Sequence, residues 1–420
     1  MLDLKKIRED STPFIKAMKA RYAPTNQIEE ILKFDKKWRK LKKETDELKH
    51  ERNTISMKIN EAKKEGKSIQ QIILKTKKIA NDIKANDEML SVLEQKMHLI
   101  LFSVPNIPDA SAPVGKEENS NKEVRKWGEM KKKSGDIIPH YDLGPVLKMM
   151  DFERGAKLAG SRFTVLYGQL AKLERALAYY MLEKANENKY LEVSVPLLAN
   201  SKTMTGTGQL PKFESELYKL QDTDFWLIPT SEVPLVNLHA GEILEESILP
   251  LSYCSFSPNF RKEAGNYQKD IKGMIRQHQF YKIELVKFTL PENSDDALEQ
   301  MVKHAESVMQ GLSLPYKVMQ LCTGEMGFAA SKAYDIEAWL PSQNKYREIS
   351  SISNCTDFQA RRANIKFRRE GKNEFVHTLN GTGVAIGRAM VALMENFQDE
   401  SGIDIPKPLR DFMQTERIEF

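Results

Sequence analysis

From residue 31 to residue 100 apolar side chains recur alternately three and four residues apart, and this repeat limits the folds open to the chain more than any other feature. The first run is Ile31, Phe34, Trp38, Leu41, Thr45, Leu48, Arg52, Ile55, Ile59, Ala62; the second is Ile72, Thr76, Ile79, Ile83, Asn86, Leu90, Leu93, Met97, Ile100. Such spacing is a heptad seam, with polar Thr45 and Arg52 as its weak points. Gly66-Lys67-Ser68 interrupts it: Gly66 ends one helix and Ser68 is placed to cap the next. Two helices of similar length joined by so short a break must fold back, which predicts an antiparallel coiled-coil hairpin about 50 Å long. The break is not a phosphate-binding loop, because Glu61 stands where that pattern needs glycine and a helix precedes it instead of a strand. Between Gln27 and Ile100 there are 18 Lys plus Arg against 13 Asp plus Glu. This excess of five equals that of the whole chain. A charged coiled coil is compatible with a plain solvated face and with a nucleic-acid partner.

Val104-Pro-Asn-Ile-Pro-Asp-Ala-Ser-Ala-Pro-Val114 cannot continue a helix, and a polar, charged stretch follows it from Glu117 to Lys133. The expected division is a helical arm at 1–104, a linker at 105–134 and a larger core domain at 135–420. At 420 residues the chain is long enough for such a core plus an appendage. Cys254, Cys322 and Cys355 are odd in number and contain no Cys-x-x-Cys, which argues against a disulfide scaffold or zinc finger. The chain starts without the apolar core of a signal peptide, and no segment approaches 18 apolar residues, so a soluble cytoplasmic protein with no membrane partner is expected.

Inside the core, Phe260-Arg-Lys-Glu-Ala-Gly leads through Asn266, Lys272, Gly273 and Arg276 to His278-Gln-Phe-Tyr-Lys-Ile-Glu284. From Gln279 to Lys287 apolar and polar residues roughly alternate, which predicts two strands joined by a glycine-containing loop. Arginines near both ends of that loop suit a polyphosphate, since guanidinium offers a rigid fork of donors to phosphate oxygens. Arg-x-Glu alone would be an ordinary surface pair. The whole stretch, however, resembles motif 2 of the class II aminoacyl-tRNA synthetases, in the form found in seryl-tRNA synthetases. Other stretches carry the same resemblance. The helix with Leu166, Leu170, Leu173, Leu177 and Met181 on one face, followed by a strand Tyr190–Pro196, falls where the family has motif 1 and its dimer interface. Thr378-Leu-Asn-Gly-Thr-Gly-Val-Ala-Ile-Gly-Arg388 misses a dinucleotide fingerprint by one residue and is similar to motif 3. The resemblance covers essentially the whole chain.

The resemblance implies an α+β fold: an N-terminal antiparallel coiled-coil hairpin plus a class II catalytic domain whose mainly antiparallel sheet is flanked by helices. It implies a homodimer, ATP and L-serine as substrates, Mg²⁺, and serine tRNA as partner, with selenocysteine tRNA where that is present. The arm would read tRNA by shape and backbone contact, with Lys33, Lys40, Lys63 and Lys77 among its candidate contacts. The implied serine site is Thr230, Ser231, Glu232, Arg261, Glu284, Asn380 and Thr382, after a small-residue loop Thr203–Pro211. Glu284, buried in a strand, would be costly without a partner, and an ammonium group is one. The implied ATP site is Arg261, Lys262, Glu263, Arg276, Phe280, Glu348, Ile349, Ser350, Ser351 and Arg388. Phe280 would stack on adenine, and Glu263 would meet adenine or the tRNA end. Glu348 and Ser351 would hold the metal; their oxygens suit Mg²⁺, although a serine-rich turn is commonly no more than a turn. Arg261, Glu348 and Arg388 are the catalytic candidates. Departures from the family pattern are Thr382 where serine is frequent, Glu325 where aspartate is, and Lys272 where arginine is. Cys355 reads as a packed thiol, with no histidine beside it in sequence.

The implied reaction is activation of serine as an adenylate, then transfer to tRNA, resting on positioning and charge stabilisation because the substrate carboxylate is itself the nucleophile. Two other readings fit parts of the chain. A paralogue that hands the amino acid to a carrier protein would have no use for the arm. A binding module without activity would have no reason to retain Arg261, Glu284, Glu348 and Arg388 together.

Overall fold

The computed structural model describes residues 1–64, 70–130, 137–263 and 272–420, with side chains left out at 58–64. The break at Gly66–Ser68, the Lys63 side chain and the turn around Gly265 and Asn266 lie outside the described residues. The chain divides into two units, one formed by 2–19 with 23–104 and the other by Met1, 20–22 and 105–420.

In the first unit, short helices α1 (Leu4–Glu9) and α2 (Thr12–Ala20) precede α3 (Asn26–Lys64) and α4 (Gln70–Ser103). The two long helices run antiparallel, since Gln27 hydrogen-bonds Ser103 and Lys49 pairs with Asp87. At 39 and 34 residues they are about 58 and 51 Å long at 1.5 Å per residue. The heptad seam is the contact surface: Ile55, Ile79, Ile83, Leu90, Leu93 and Met97 are buried. Thr45 is fully buried too, because its hydroxyl donates to the Leu41 carbonyl and takes no unmet polar group into the seam. The repeat did not point to Asp35, which is buried and accepts from Arg8 at 2.5 Å and Arg39 at 2.8 Å, tying α1 to α3.

The second unit is built on an eight-stranded sheet. Its strands are β1 (Lys122–Trp127), β2 (Leu191–Glu192), β3 (Leu251–Phe260), β4 (Gln279–Thr289), β5 (Tyr316–Gln320), β6 (Lys332–Leu340), β7 (Lys345–Asn354) and β8 (His377–Ala385). They lie in the order β1-β5-β6-β7-β8-β4-β3-β2, antiparallel throughout except for the short parallel pair β2–β3. One face carries Ile283, Leu285, Ile336, Ile352 and Leu379 into the main core. The longer helices of this unit feed that core: α6 (Gly168–Glu187) with Leu170, Leu173 and Leu177, α9 (Ser294–Gly311) with Leu298 and Met301, and α10 (Ile386–Phe397) with Met390 and Leu393. The shorter α5 (His140–Val146) precedes α6, and α7 (Ser201–Thr207) and α8 (Glu232–Asn237) follow it. The α+β architecture with a mainly antiparallel sheet is as expected.

Local readings differ in four places. Part of the expected linker is strand β1, at the sheet's edge, where charged residues such as Lys122 and Lys126 need only one paired side and discourage further pairing. The small-residue loop begins as helix α7, capped by the Asn200 side chain and ended at Gly208, whose φ of +93° suits glycine. The strand expected over Tyr190–Pro196 shrinks to β2 plus one further bond from Val193. The serine-rich turn around Ser350 is the interior of β7.

Candidate functional site

Register decides which side chains stand on the sheet's other face. Opposite partners share a face, as do residues two apart on one strand. Asp335 faces Ser351, Ser353 faces Asn380, and Thr382 faces Glu284. Asp335, Ser351, Asn380, Thr382, Glu284 and Lys282 therefore form one polar floor beneath a cavity of about 1160 Å³, with Ser353 on the same sheet face outside its lining. Two bulges complete it. An extra residue at Ile349 brings Glu348 opposite Glu337, onto the polar face from which an unbroken strand would turn it away. Another at Gly383 keeps Thr382 opposite Glu284 while restoring Ala385 to Lys282.

The structure brings most of the expected residues to this cavity: Thr230, Glu232, Arg261, Glu263, Arg276, Phe280, Glu284, Glu348, Ile349, Ser351, Asn380, Thr382 and Arg388 all line it. Three stand elsewhere. Ser231 is fully buried, its hydroxyl without a hydrogen-bond partner, because Thr230 and Glu232 flank it on the cavity side. Ser350 is opposite Ile336 on the helix-covered side, where its hydroxyl donates to the Thr382 carbonyl. Lys262 lays its ammonium over the Tyr218 ring, 5.6 Å from the centroid.

At one end of the floor the polar groups satisfy one another. Lys282 forms an ion pair with Glu284, and both Lys282 and Thr230 bond inside this corner, Thr230 donating to Glu284 at 3.0 Å. The partner for buried Glu284 is thus supplied by the chain itself. Lys282 was missed, although its two-residue spacing from Glu284 on a strand was a sufficient signal. Glu232, the first residue of α8, accepts from Gln359 at 2.6 Å and Asn380 at 3.1 Å. Burial and the nearby Glu284 charge lift Glu232 to about 7, against the opposing effects of Gln359, Lys282 and Arg261.

At the other end three guanidinium groups converge. Arg261 donates to the Pro229 carbonyl and lies over the Phe280 ring at 5.3 Å. Arg276 meets Glu263 at 3.3 Å. Arg388, in the first turn of α10, donates to the Glu348 carbonyl at 2.8 Å and meets its carboxylate at 3.3 Å. The Arg388 charge holds Glu348 below the ordinary carboxylate range, whereas burial and the Glu348 charge push neighbouring Asp335 well above it. The two neighbouring carboxyls are thus driven in opposite directions. Asp335 and Glu337 were missed; they alternate along Tyr334-Asp-Ile-Glu337, a pattern that places both on one face.

A cavity with a cationic end, an anionic corner and a floor of hydroxyls is fit for a phosphorylated substrate beside a small amino compound. Comparison with known proteins gives the family. The model of the tRNA synthetase class II core domain (G, H, P, S and T) matches residues 213–397, and that of the seryl-tRNA synthetase N-terminal domain matches 1–108. The serine–tRNA ligase of Fervidobacterium nodosum is 51% identical over 422 residues, covering 100% of this chain and 99% of that protein. The chain belongs to the seryl-tRNA synthetase family. It is accordingly a class II aminoacyl-tRNA ligase, as the motifs implied. The serine–tRNA ligase of Thermotoga neapolitana is 52% identical over 415 residues, 97% of this chain and 98% of the other. Among solved structures, seryl-tRNA synthetase from Pyrococcus horikoshii complexed with ATP superposes with a TM-score of 0.94 at 39% identity, covering 100% of this chain and 99% of that one. No helix among the described residues is long and apolar enough to cross a membrane.

Proposed function

We propose that the chain activates L-serine with ATP as seryl-adenylate and passes the seryl group to serine tRNA, and to selenocysteine tRNA where that occurs. The observation that carries this reading is the single polar sheet face that joins Arg261, Arg276 and Arg388 at one end to Glu284, Thr382 and Asn380 at the other. Its supports are the serine–tRNA ligase relatives and a structural neighbour described as complexed with ATP.

In the first step a serine carboxylate oxygen attacks the α-phosphorus, a P–O bond forms, and the bond to the β-phosphate oxygen breaks to release pyrophosphate. No side chain need act as nucleophile. Arg261 would steady the α-phosphate and Arg276 and Arg388 the β- and γ-phosphates, so that charge moving onto these oxygens meets fixed donors. Phe280 would stack on adenine, its other face shielded by Arg261. Thr230, Glu232, Glu284, Asn380 and Thr382 would surround the serine. In the second step a ribose hydroxyl at the tRNA end attacks the acyl carbon and AMP leaves.

The donors beside Arg388 are oxygens: Glu348, whose ionisation the Arg388 charge favours, Ser351, and Asp335, whose Oδ1 is buried without a hydrogen-bond partner. This hard set fits Mg²⁺. Among the described residues no three or more His, Cys, Asp or Glu side chains are grouped to hold a metal unaided, so Glu348 and Ser351 would do so with the nucleotide. Bound there, Mg²⁺ would neutralise phosphate charge. The reading extends to a homodimer working in the cytoplasm, and to an arm whose exposed Lys33, Lys40 and Lys77 meet the tRNA backbone.

The test is serine-dependent exchange of pyrophosphate into ATP, followed by transfer of labelled serine to tRNA. Exchange with charging supports both halves of the reading. Exchange without charging moves the acceptor to another molecule, and no exchange with any amino acid removes the enzymatic role.

A further inference from the structure

The connection between β3 and β4 returns to the sheet through residues 273–276, and this limb is fastened to α10 at two points. The first is direct: Arg388 donates from Nε to the Ile275 carbonyl at 3.2 Å. The second runs through a histidine far away in sequence. The Met274 amide donates to His140 Nε2 at 3.2 Å, and His140 Nδ1 lies 2.8 Å from Glu395 Oε1, which also accepts from the His140 amide. Since Nε2 must accept, the ring proton sits on Nδ1 and points at Glu395. Glu395 follows Arg388 by seven residues, two turns along the same side of α10.

Both side chains of the pair are fully buried. Burial opposes ionisation of Glu395, but hydrogen bonds from His140 and Ser342 outweigh it and bring the carboxyl below its ordinary range. An apolar residue at 140 would fill the space at lower desolvation cost, yet it could not accept the Met274 amide, which is itself shut away from water. Gly273 shows how closely the limb approaches: a Cβ there would come within 2.1 Å of His140 Nε2, and its φ is +83°. Met274 is buried at this contact, and Arg276, two residues on, reaches the cavity.

We propose that His140 is a positioning residue for Arg276, fixing the 273–276 limb against α10 so that the guanidinium meets the nucleotide phosphates. This rests on the assignment of Arg276 to ATP made above. His140 touches no substrate; it acts through the Met274 amide, with Glu395 orienting its ring.

The test compares His140→Leu, His140→Gln and Gly273→Ala in the full chain. Two readouts are used: hydrogen exchange of the Met274 amide, and KM values for ATP and serine in pyrophosphate exchange. His140→Leu should unprotect Met274 and raise the ATP KM roughly tenfold, as expected for one buried hydrogen bond left unmade, with the serine KM unchanged. His140→Gln, which can still accept from Met274 and donate towards Glu395, should recover most of both. Gly273→Ala pushes the limb away while leaving the His140–Glu395 pair in place, and should match His140→Leu even if that variant does not fold. Protection of Met274 retained in both His140→Leu and Gly273→Ala would overturn the proposal. So would ATP and serine KM values rising together, because a general loosening of the core moves both. If the unaltered enzyme shows protected Met274 but no exchange, the nucleotide role of Arg276 falls, and the proposal with it, while the clamp itself stands.

Discussion

Glu232→Gln separates the electrostatic account of the serine corner from a purely steric one. Glu232 stands at about 7 in the fold, because burial and the charge on Glu284 oppose its ionisation. An unfolded glutamate titrates near 4.5. Between these values the folded chain binds more protons than the unfolded chain, so this group makes stability fall as pH rises through that window. A difference of about 2.5 pH units corresponds to a cost on the order of 3 kcal/mol once both states are ionised, above pH 7. Glutamine keeps an acceptor for Gln359 and Asn380 and carries no such cost. The variant should therefore resist urea better than the unaltered chain at pH 8, by up to that amount, and the advantage should vanish near pH 4.5. The serine KM should rise at pH 8, since a carboxylate facing the substrate ammonium has gone. Urea midpoints at the two pH values, with pyrophosphate exchange on the same samples, measure both. An advantage that is absent at pH 8, or the same at both pH values, would refute the reasoning.

Arg388→Ala should lower serine-dependent exchange by about 10²–10³-fold, the usual effect of removing a preorganised donor, and should free Glu348 to titrate higher. Thr382→Val keeps the shape but removes the hydroxyl opposite Glu284. Serine kcat/KM should drop while alanine activation changes little, cutting a discrimination of about 10⁴-fold by most of its size in a competition assay. In the arm, Asp35→Ala leaves Arg8 and Arg39 without their buried acceptor. Both arginines are partly exposed and can return to water, so the loss should be about 1–2 kcal/mol, seen as earlier melting of the helical signal.

The arm was legible in the sequence almost residue by residue. A heptad seam is set by neighbours three and four apart, and Ile79, Ile83, Leu90, Leu93 and Met97 went where the repeat put them. The two strands around residues 260 and 279 were legible for the same reason, through local alternation and a glycine-containing loop. What could not be read was the facing of side chains past a bulge. Ser350 and Ser351 are adjacent in sequence, and only the extra residue at Ile349 decides how they and Glu348 divide between core and cavity. Nor could the pair His140 and Met274 be read, 134 residues apart, since neither residue carries any local sign of the other. Lys282 and Asp335 lie within reach of the strand period, each two residues from a carboxylate on the same face of its own strand, Glu284 and Glu337.

The two bulges give β7 and β8 something like a reading frame. Flattening the bulge at Ile349 with no residue removed would slide the upstream pairing by only about 3.3 Å, a change the loop beyond it could absorb. Yet every side chain upstream would trade sides: Glu348 would turn from the cavity face and Ile349 would stand opposite Glu337 in its place. Gly383 plays the same part for Val384 and Ala385, the last two residues of β8. An insertion or deletion that a bulge does not absorb is therefore an exchange of identity among the cavity's residues, and the bulges are the two places where a residue can go without one.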